Sequence, residues 1–291
     1  MVQRTDLQGL RVIVTRPVKQ AEPWCVRLRE LGAACVSIPV LALEPVSRPE
    51  QVQAIKNVVL DFDLYQKAIF VSRNAVEFAM QWLEGYWPQL PQGIEYFAVG
   101  ETTAKNLQDY GLRVSALTAA SSGAMNSESL LRAPELQQVQ DEKIIIFRGC
   151  GGRGQMAEVL RARGASVHYC ELYERVIPPQ AEQLLCAAFA QSVAEQQVIA
   201  LHSGESLNHF MQVLARAKVN DINFSQHENI MRLPVLVPGE RVAQLARDTG
   251  FTQIIVAENA TDQAMFAALA DAALSLSKTA LPQPVLSATD K

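Results

Sequence analysis

The stretch KIIIFRGCGGRGQMAEVLRARGASVHYCELYER, residues 143–175, decides the fold of this chain. Ile144–Phe147 has the unbroken apolar pattern of a buried strand, a glycine-rich turn interrupts it, and apolar residues then recur at helical spacing. Gly164 ends this predicted helix, and a second predicted strand runs over Ser166–Leu172. The order strand, turn, helix, strand predicts a βαβ unit with parallel strands.

The same unit occurs near the N-terminus, in RVIVTRPVKQAEPWCVRLRELGAACVSIPV at residues 11–40. An offset of 132 positions aligns Arg16 with Arg148 and Gly32 with Gly164 without a gap. This match over a whole unit indicates an internal duplication. Strands and helices alternate along the chain with short turns, which predicts parallel sheets covered on both faces. Two similar halves therefore predict two similar α/β domains.

Composition restricts the partners of the protein. The 291 residues are 49% hydrophobic and 19% charged, and the net charge of −4 comes without any basic block. Nucleic acid is therefore not expected as a partner. No apolar run reaches about 18 residues, and the N-terminus lacks the apolar run of a signal peptide, so neither a membrane span nor secretion is expected. We expect a cytoplasmic monomer.

The cysteines are expected to be reduced thiols. Their number is odd, and no C-x-x-C pair occurs, which is typical of a cytoplasmic protein. A reactive thiol at Cys150, inside the glycine-rich turn, is the alternative. The five are Cys25, Cys35, Cys150, Cys170 and Cys186.

Arginine, serine, threonine and glycine follow the predicted strands, at the edge where α/β sheets bind ligands. Each of these turns begins a helix, whose free N–H groups and dipole favour anions. The pattern predicts a cleft for an anionic ligand. Helix capping explains the serines and threonines equally well, but not the arginine repeated after the strand. The turns are Thr15-Arg16, Ser72-Arg73, Gly100-Glu101-Thr102-Thr103, Arg148-Gly149-Cys150-Gly151, His202-Ser203-Gly204 and Pro238-Gly239-Glu240-Arg241.

The glycine-rich turn also matches a dinucleotide-binding pattern. Gly149–Gly154 reads G-x-G-x-x-G after a strand, and Glu171 lies near the end of the next strand. The matching turn at 16–22 has no glycine, and Arg148 and Arg153 would crowd a pyrophosphate. A nicotinamide-dependent oxidoreductase is therefore kept only as an alternative. A two-lobed, non-catalytic sensor of small anions is a second alternative, because it would share the cleft and the duplication.

Familiar catalytic and metal-binding sets are missing from the sequence. His202 and His209 are seven positions apart and have no partner at zinc spacing. There is no G-x-S-x-G elbow and no Walker lysine. Glu101 and Glu240 each lie in a first helical turn, where the helix dipole explains them. We therefore expect no metal ion and no cofactor.

Six segments have the order and spacing of one known family: VIVTRP at 12–17, LGAACVSIPVL at 31–41, IFVSRNAVEF at 69–78, AVGETTA at 98–104, ELYER at 171–175 and LHSGES at 201–206. Through these segments the chain resembles the uroporphyrinogen-III synthase family, over residues from about 10 to about 270. The resemblance implies the cofactor-free cyclisation of linear hydroxymethylbilane, an octacarboxylate, with inversion of its last pyrrole ring.

The resemblance also implies the domain organisation. One α/β domain would be discontinuous in sequence, the other would be the central segment, and two strands would join them. The implied bounds are 1–38 with 177–276 for the first domain, 43–172 for the second, 39–42 and 173–176 for the linker strands, and 277–291 for a mobile tail.

Site residues are carried over by position. Tyr173 matches the family's return-strand tyrosine and is expected to donate its O–H to a departing hydroxyl, with packing as the alternative role. Strand alternation predicts that Glu171, Tyr173 and Arg175 share one face. Val242 stands where the family often has threonine, so that hydroxyl is not essential unless Arg241 replaces it. The expected substrate-binding residues are Arg16, Ser72, Arg73, Thr102, Thr103, Arg148, Gly149, Ser203, Gly204 and Arg241.

Overall fold

A computed structural model describes residues 7–115, 127–190, 196–220 and 228–279 of the chain. Strands and helices alternate through these ranges, which confirms the predicted α/β class. The strands are β1 (Leu10–Val14), β2 (Ala34–Ser37), β3 (Ala42–Pro45), β4 (Lys67–Phe70), β5 (Glu95–Ala98), β6 (Lys143–Gly149), β7 (Ser166–Val176), β8 (Gln196–Ala200), β9 (Val235–Pro238) and β10 (Ile254–Ala257).

Helices connect most of these strands, and short 3₁₀ turns occur at Phe62–Leu64, Pro134–Leu136 and Glu228–Arg232. The helices are α1 (Val18–Glu30), α2 (Pro49–Leu60), α3 (Arg73–Tyr86), α4 (Glu101–Asp109), α5 (Ser127–Leu130), α6 (Gln155–Ala162), α7 (Ala181–Phe189), α8 (Gly204–Asn220), α9 (Gly239–Asp248) and α10 (Asp262–Thr279).

The chain divides into two compact units. The first unit comprises Met1–Ala42 and Val176–Lys291, and the second unit comprises Leu43–Arg175. The first unit is therefore discontinuous in sequence. Residues 39–41 have no regular secondary structure, whereas 173–176 continue β7. Their role as linker strands stays a prediction.

Each unit is built on one five-stranded sheet. The first unit has the strand order β10-β9-β8-β1-β2, with every neighbouring pair parallel. The second has the order β3-β7-β6-β4-β5, in which β7, β6, β4 and β5 pair in parallel. Parallel pairing brings the carboxyl ends of these strands to one edge of each sheet, where the turns rich in arginine and serine lie.

Side-chain alternation along the strands covers both faces of the first sheet. Ile13 points into a core with α7, α8 and α9, while Val12 and Val14 point into a separate core with α1 and α10. All three side chains are completely buried. A strand buried on both faces reads as a continuous apolar run, which is the pattern of a parallel sheet.

The predicted duplication has a counterpart in backbone geometry. The Ala33 N–H donates to Leu28 O at 3.0 Å after α1, and Ala165 N–H donates to Leu160 O at 3.1 Å after α6. Each turn contains a glycine in the left-handed region, with φ of 90° at Gly164. Residues with a Cβ rarely adopt this conformation, so glycine at this position ends both helices.

The prediction of five reduced cysteines is wrong for two of them, because Cys25 and Cys35 form a disulfide. Cys25 lies on the buried side of α1, and Cys35 lies on β2 directly after the turn. The tight helix-to-strand turn places their Cα atoms 5.4 Å apart, a normal separation for a disulfide. Their spacing of ten residues gives no local signal of this pairing.

Helix α10 continues to Thr279. The predicted mobile tail, 277–291, thus begins inside a helix, and residues 280–291 lie outside the described ranges. Among the residues described, no helix combines the length and the apolar character needed to span a membrane.

Candidate functional site

A cavity of about 430 Å³ lies in the second unit, beside the carboxyl ends of β4 and β6. We call it the arginine cavity, because three arginines contribute to its wall. It contains four of the residues expected at the site, namely Ser72, Arg148, Gly149 and Tyr173. Its wall includes Ser72, Glu128, Arg148, Gly149, Arg153, Tyr173 and Arg175.

Ser72 and Tyr173 face each other in the arginine cavity. Ser72 is the N-cap of α3, and its Oγ accepts the Ala75 N–H at 3.1 Å. The same Oγ lies 3.2 Å from the Tyr173 hydroxyl. Tyr173 is 1% exposed, and its ring stacks on Phe78 with centroids 4.9 Å apart. The phenol is therefore held by its ring, and its hydroxyl reaches a wall lined by polar groups.

A β-bulge sets the position of Tyr173. Arg148 pairs with Glu171, but the next residue, Gly149, pairs with Tyr173, so Leu172 is an extra residue in β7. The simple alternation predicted for this strand is therefore wrong at this point. Leu172 and Tyr173 are both buried in the same core cluster, instead of pointing to opposite faces.

The glycine-rich turn makes room for two side chains. A Cβ on Gly149 would lie 2.6 Å from Tyr173 Cε2, and a Cβ on Gly152 would overlap the Arg148 guanidinium. The Tyr173 ring is buried and cannot move away, so glycine is required at position 149, whereas at position 152 the end of the Arg148 side chain would have to shift. This packing explains Gly149, one of the three glycines of the dinucleotide pattern; Gly152 occupies a variable position of that pattern.

Arg148 is a fixed part of the cavity wall. It is 5% exposed, its Nε donates to Gly149 O at 3.2 Å, and its Nη1 donates to Arg153 O at 3.0 Å. Its guanidinium lies over the Tyr169 ring at 4.6 Å, and Glu171 Oε1 is 3.6 Å from Nε. These contacts orient the guanidinium while keeping its positive charge beside the cavity.

Arg153 and Arg175 complete the positive wall. Arg175 follows Tyr173 on β7, and its Cζ lies 5.9 Å from the centre of the Tyr173 ring. Both side chains line the cavity together with Ser72, and Glu128 adds one carboxylate to a wall that has three arginines. Guanidinium groups bind carboxylates through charge-assisted hydrogen bonds, so this wall favours an anionic ligand. Sequence reasoning did not select either arginine for the site, although Arg175 was expected on the face of Tyr173.

Three other expected residues of the second unit do not line the arginine cavity. Arg73 is exposed, and its Nε lies 3.4 Å from Glu77 Oε1 one helical turn away. Thr103 is buried, and its Oγ1 donates to Val99 O at 3.0 Å. Thr102 is exposed on α4. Thr103 is therefore not the cap of α4, whose N-cap is Gly100, and its hydroxyl is bonded to the backbone. Substrate binding by these three residues stays a prediction.

The first unit has a smaller pocket of about 180 Å³ at the ends of β1 and β8. We call it the histidine pocket. Arg16 lines it, with its Nη1 donating to Asp262 Oδ1 at 2.6 Å. Ser203 also lines it, and its Oγ accepts the Ser206 N–H at 3.0 Å as a helix cap. Further lining residues used below are Thr15, Ser206 and His202.

Gly204 and Arg241 lie beside the histidine pocket but do not line it. A Cβ on Gly204 would be 3.9 Å from Arg241 Nη1, which places this arginine next to the start of α8. Val242 is buried in the core of the first unit and takes part in packing. The expected binding roles of Gly204 and Arg241 stay predictions.

His202 is the residue of this pocket that sequence reasoning set aside. Its ring meets the Trp24 ring edge to face, with centroids 4.7 Å apart. Burial, and then the positive charge of Arg16, lower the pKa of His202 to about 3, while Asp262 and the Ala200 carbonyl act in the opposite direction. The imidazole is therefore neutral near pH 7. Only its place directly after a strand end could have indicated a site.

Within the described ranges, no group of three or more His, Cys, Asp or Glu side chains has an arrangement that could hold a metal ion.

Comparisons with known proteins agree on one family. The family model described as "Uroporphyrinogen-III synthase HemD" matches residues 22–267. The uroporphyrinogen-III synthase of Escherichia coli K12 is 31% identical over 89% of this chain and all of its own length. That of Synechococcus elongatus is 29% identical over 72% of this chain and 76% of its own length.

Solved structures show the same fold. A mutant uroporphyrinogen III synthase from Thermus thermophilus matches with a TM-score of 0.54 and 18% identity, over 92% of this chain and 99% of that one. The synthase from Helicobacter pylori 26695 matches with a TM-score of 0.53 and 14% identity, over 91% and 99%. At these identities the likeness concerns the fold alone.

Proposed function

Because the chain belongs to the uroporphyrinogen-III synthase family, we propose that it cyclises hydroxymethylbilane to uroporphyrinogen III, a lyase reaction of tetrapyrrole and haem biosynthesis. The match to the Escherichia coli enzyme, which covers the whole of that protein, carries this proposal. The positive wall of the arginine cavity supports it independently, since the substrate carries eight carboxylates.

The reaction proceeds by loss of the terminal hydroxyl of the bilane as water, which leaves an azafulvene cation. The substituted carbon of the last pyrrole attacks this cation and forms a spiro intermediate. The spiro ring opens and closes again at the other carbon, and loss of a proton gives the inverted ring. Pyrrole carbons supply every nucleophile, so the protein has to position a flexible chain and assist the departing hydroxyl.

Tyr173 is the catalytic residue in this proposal. Its O–H donates a proton to the departing hydroxyl, so that the leaving group is water. The Ser72 hydroxyl, 3.2 Å away, donates to the phenolic oxygen as negative charge develops there. The Arg175 guanidinium over the same ring stabilises that charge electrostatically. Arg148 and Arg153 favour carboxylates of the substrate at the cavity wall.

The proposal also includes three expectations from the sequence: the enzyme needs no metal ion or cofactor, it is a monomer, and it is cytoplasmic. The test is incubation of the purified chain with hydroxymethylbilane in the presence of a chelator and without nucleotide. The products are oxidised, and the porphyrin isomers are separated. The type III isomer supports the proposal, whereas type I alone from folded protein contradicts it. Saturable binding of NAD(P) would favour the nicotinamide-dependent oxidoreductase. Binding of the bilane without turnover would favour the non-catalytic sensor of small anions.

A further inference from the structure

The imidazole of His202 has two buried nitrogens, and the backbone acceptor that acts on the ring, the Ala200 carbonyl, already accepts the Thr15 hydroxyl at 2.8 Å. Nδ1 and Nε2 are both shielded from solvent, and neither makes a hydrogen bond of normal geometry with any described residue. A neutral imidazole carries one N–H donor and one acceptor. Leaving both unpaired inside a protein is unfavourable, and such groups in native structures call for a specific explanation.

Packing does not explain a histidine at this position. The edge-to-face contact with Trp24 would be made equally well by phenylalanine, which has no polar atoms to desolvate. His209, on the helix that follows His202, differs in this respect, because its Nδ1 lies 3.1 Å from Val40 O. The orphan nitrogens of His202 therefore point to a ligand.

The groups that face His202 define the chemistry of that ligand. Arg16 approaches from the end of β1, Asp262 from the start of α10, and the Ala200 carbonyl from β8. That carbonyl already accepts the Thr15 hydroxyl at 2.8 Å. The ring of Trp24, from α1, closes another side, and its own Nε1 is buried without a hydrogen bond to any described residue. The hydroxyls of Ser203 and Ser206 bond to each other's backbone at the start of α8.

A carboxylate is the ligand that these groups favour. Arg16 disfavours a cation, and its guanidinium has five N–H donors, of which Nη1 contacts Asp262. A carboxylate oxygen can therefore bind Arg16 and accept the ring N–H of His202 together. The pocket of about 180 Å³ has the volume of about six water molecules at about 30 Å³ each, which is enough for a carboxymethyl or carboxyethyl side chain.

We propose that His202 and Arg16 form a carboxylate subsite in the first unit, where His202 donates a ring N–H to one carboxylate side chain of the substrate. This inference rests on the proposed function, which supplies the octacarboxylate. His202 contributes to substrate affinity and has no part in the chemical steps. The negative charge of the bound carboxylate offsets the positive charge of Arg16 and so favours protonation of the imidazole in the complex.

Two phenylalanine variants form a matched test. His202→Phe keeps the ring against Trp24 and removes both nitrogens, so we expect KM for hydroxymethylbilane to rise about tenfold, as for loss of a hydrogen bond to a charged group. Its kcat should change less than about twofold, and its melting temperature should stay the same or rise. His209→Phe removes a partnered nitrogen, so it should lower the melting temperature and leave KM unchanged. His202→Gln keeps a donor and should restore part of the affinity.

Nuclear magnetic resonance tests the contact without turnover. The imidazole signals of ¹⁵N-histidine-labelled protein are recorded while uroporphyrinogen III is added under anaerobic conditions. The His202 signal, assigned from whichever of the two His202 variants folds, should shift with saturation. An unmoved signal at saturation, or an unchanged KM in His202→Phe, would overturn the subsite. Since the titration uses the product, it decides this question even if the wild-type chain forms no type III isomer, which would refute only the proposed function.

Discussion

The hydroxyl of Ser72 lies 3.2 Å from the phenolic oxygen of Tyr173, across 101 positions of sequence. The same serine oxygen caps α3 by accepting the Ala75 N–H. Helix capping and participation in the site, which the sequence left as alternatives for Ser72, are therefore compatible. One lone pair of the Ser72 Oγ accepts the Ala75 N–H, and the Ser72 O–H can still donate to the Tyr173 oxygen.

Tyr173→Phe should lower kcat about three- to tenfold, because hydrogen-bonding help to an already reactive leaving group is at the low end of general-acid effects. The ring contacts with Phe78 and Gly149 are kept, so the melting temperature and the affinity for product should barely change. Steady-state kinetics and thermal unfolding check this. Wild-type turnover in the folded variant would leave Tyr173 only its packing role.

Ser72→Ala should act through Tyr173. Loss of the N-cap costs about 1 kcal/mol of stability, and loss of the hydroxyl beside the phenol should lower kcat about twofold to fivefold. When Tyr173 is already phenylalanine, adding Ser72→Ala should lower kcat no further. A double-mutant cycle of the four proteins measures this coupling. Multiplicative losses in the double variant would show that the two hydroxyls act independently.

Gly149→Ala and Gly151→Ala distinguish a glycine needed for close packing, at 149, from a glycine needed for its positive φ, at 151. A methyl group on Gly149 would meet the Tyr173 ring at 2.6 Å, so this variant should displace the phenol, lose about 1–3 kcal/mol of stability and lose kcat. Gly151 has φ of 73° with open space around it, so alanine there should cost about 1 kcal/mol and spare kcat. Urea unfolding and kinetics compare them. Equal kcat in both variants would contradict the proposed packing.

His202→Phe should also change the pH dependence of stability. The pKa of His202 is lowered to about 3 in the folded protein, below its ordinary value of 6.5. Between pH 6.5 and 3 the unfolded chain therefore binds a proton that the folded chain does not, and stability falls as the pH falls. The variant lacks this loss, so its stability relative to wild type should increase from about pH 7.5 to about pH 4.5. Urea midpoints at both values measure it, and a constant difference would refute a neutral, buried imidazole.

The repeat in the sequence predicted much of the fold, because strand periodicity and helix-ending glycines are local features. It also aligned Arg16 with Arg148: Arg16 lies after β1 as predicted, Arg148 is instead the penultimate residue of β6, and each lines a cavity of its own unit. The bulge at Leu172 could not be predicted, since it depends on the register between β6 and β7. The Cys25–Cys35 disulfide could not be predicted either, because it depends on how β2 packs against α1.

The candidate site was predicted less completely than the fold. Position after a strand identified Ser72 and Thr103 alike, but only the folded structure shows Ser72 beside Tyr173 and the Thr103 hydroxyl bonded to Val99 O. His202 was set aside because metal spacing was absent, whereas its importance lies in the groups around it. Such environments arise from long-range packing, which periodicity does not report.

The ratio of type III to type I porphyrin, measured over a series of protein concentrations, shows whether the chain itself forms uroporphyrinogen III. Hydroxymethylbilane closes to the type I isomer without enzyme, so the two routes compete in the same tube. We expect the type III fraction to rise with the concentration of the wild-type chain until it dominates, and we expect Tyr173→Phe to need more protein to reach the same fraction. A ratio that does not depend on the amount of folded wild-type protein would contradict the proposed function.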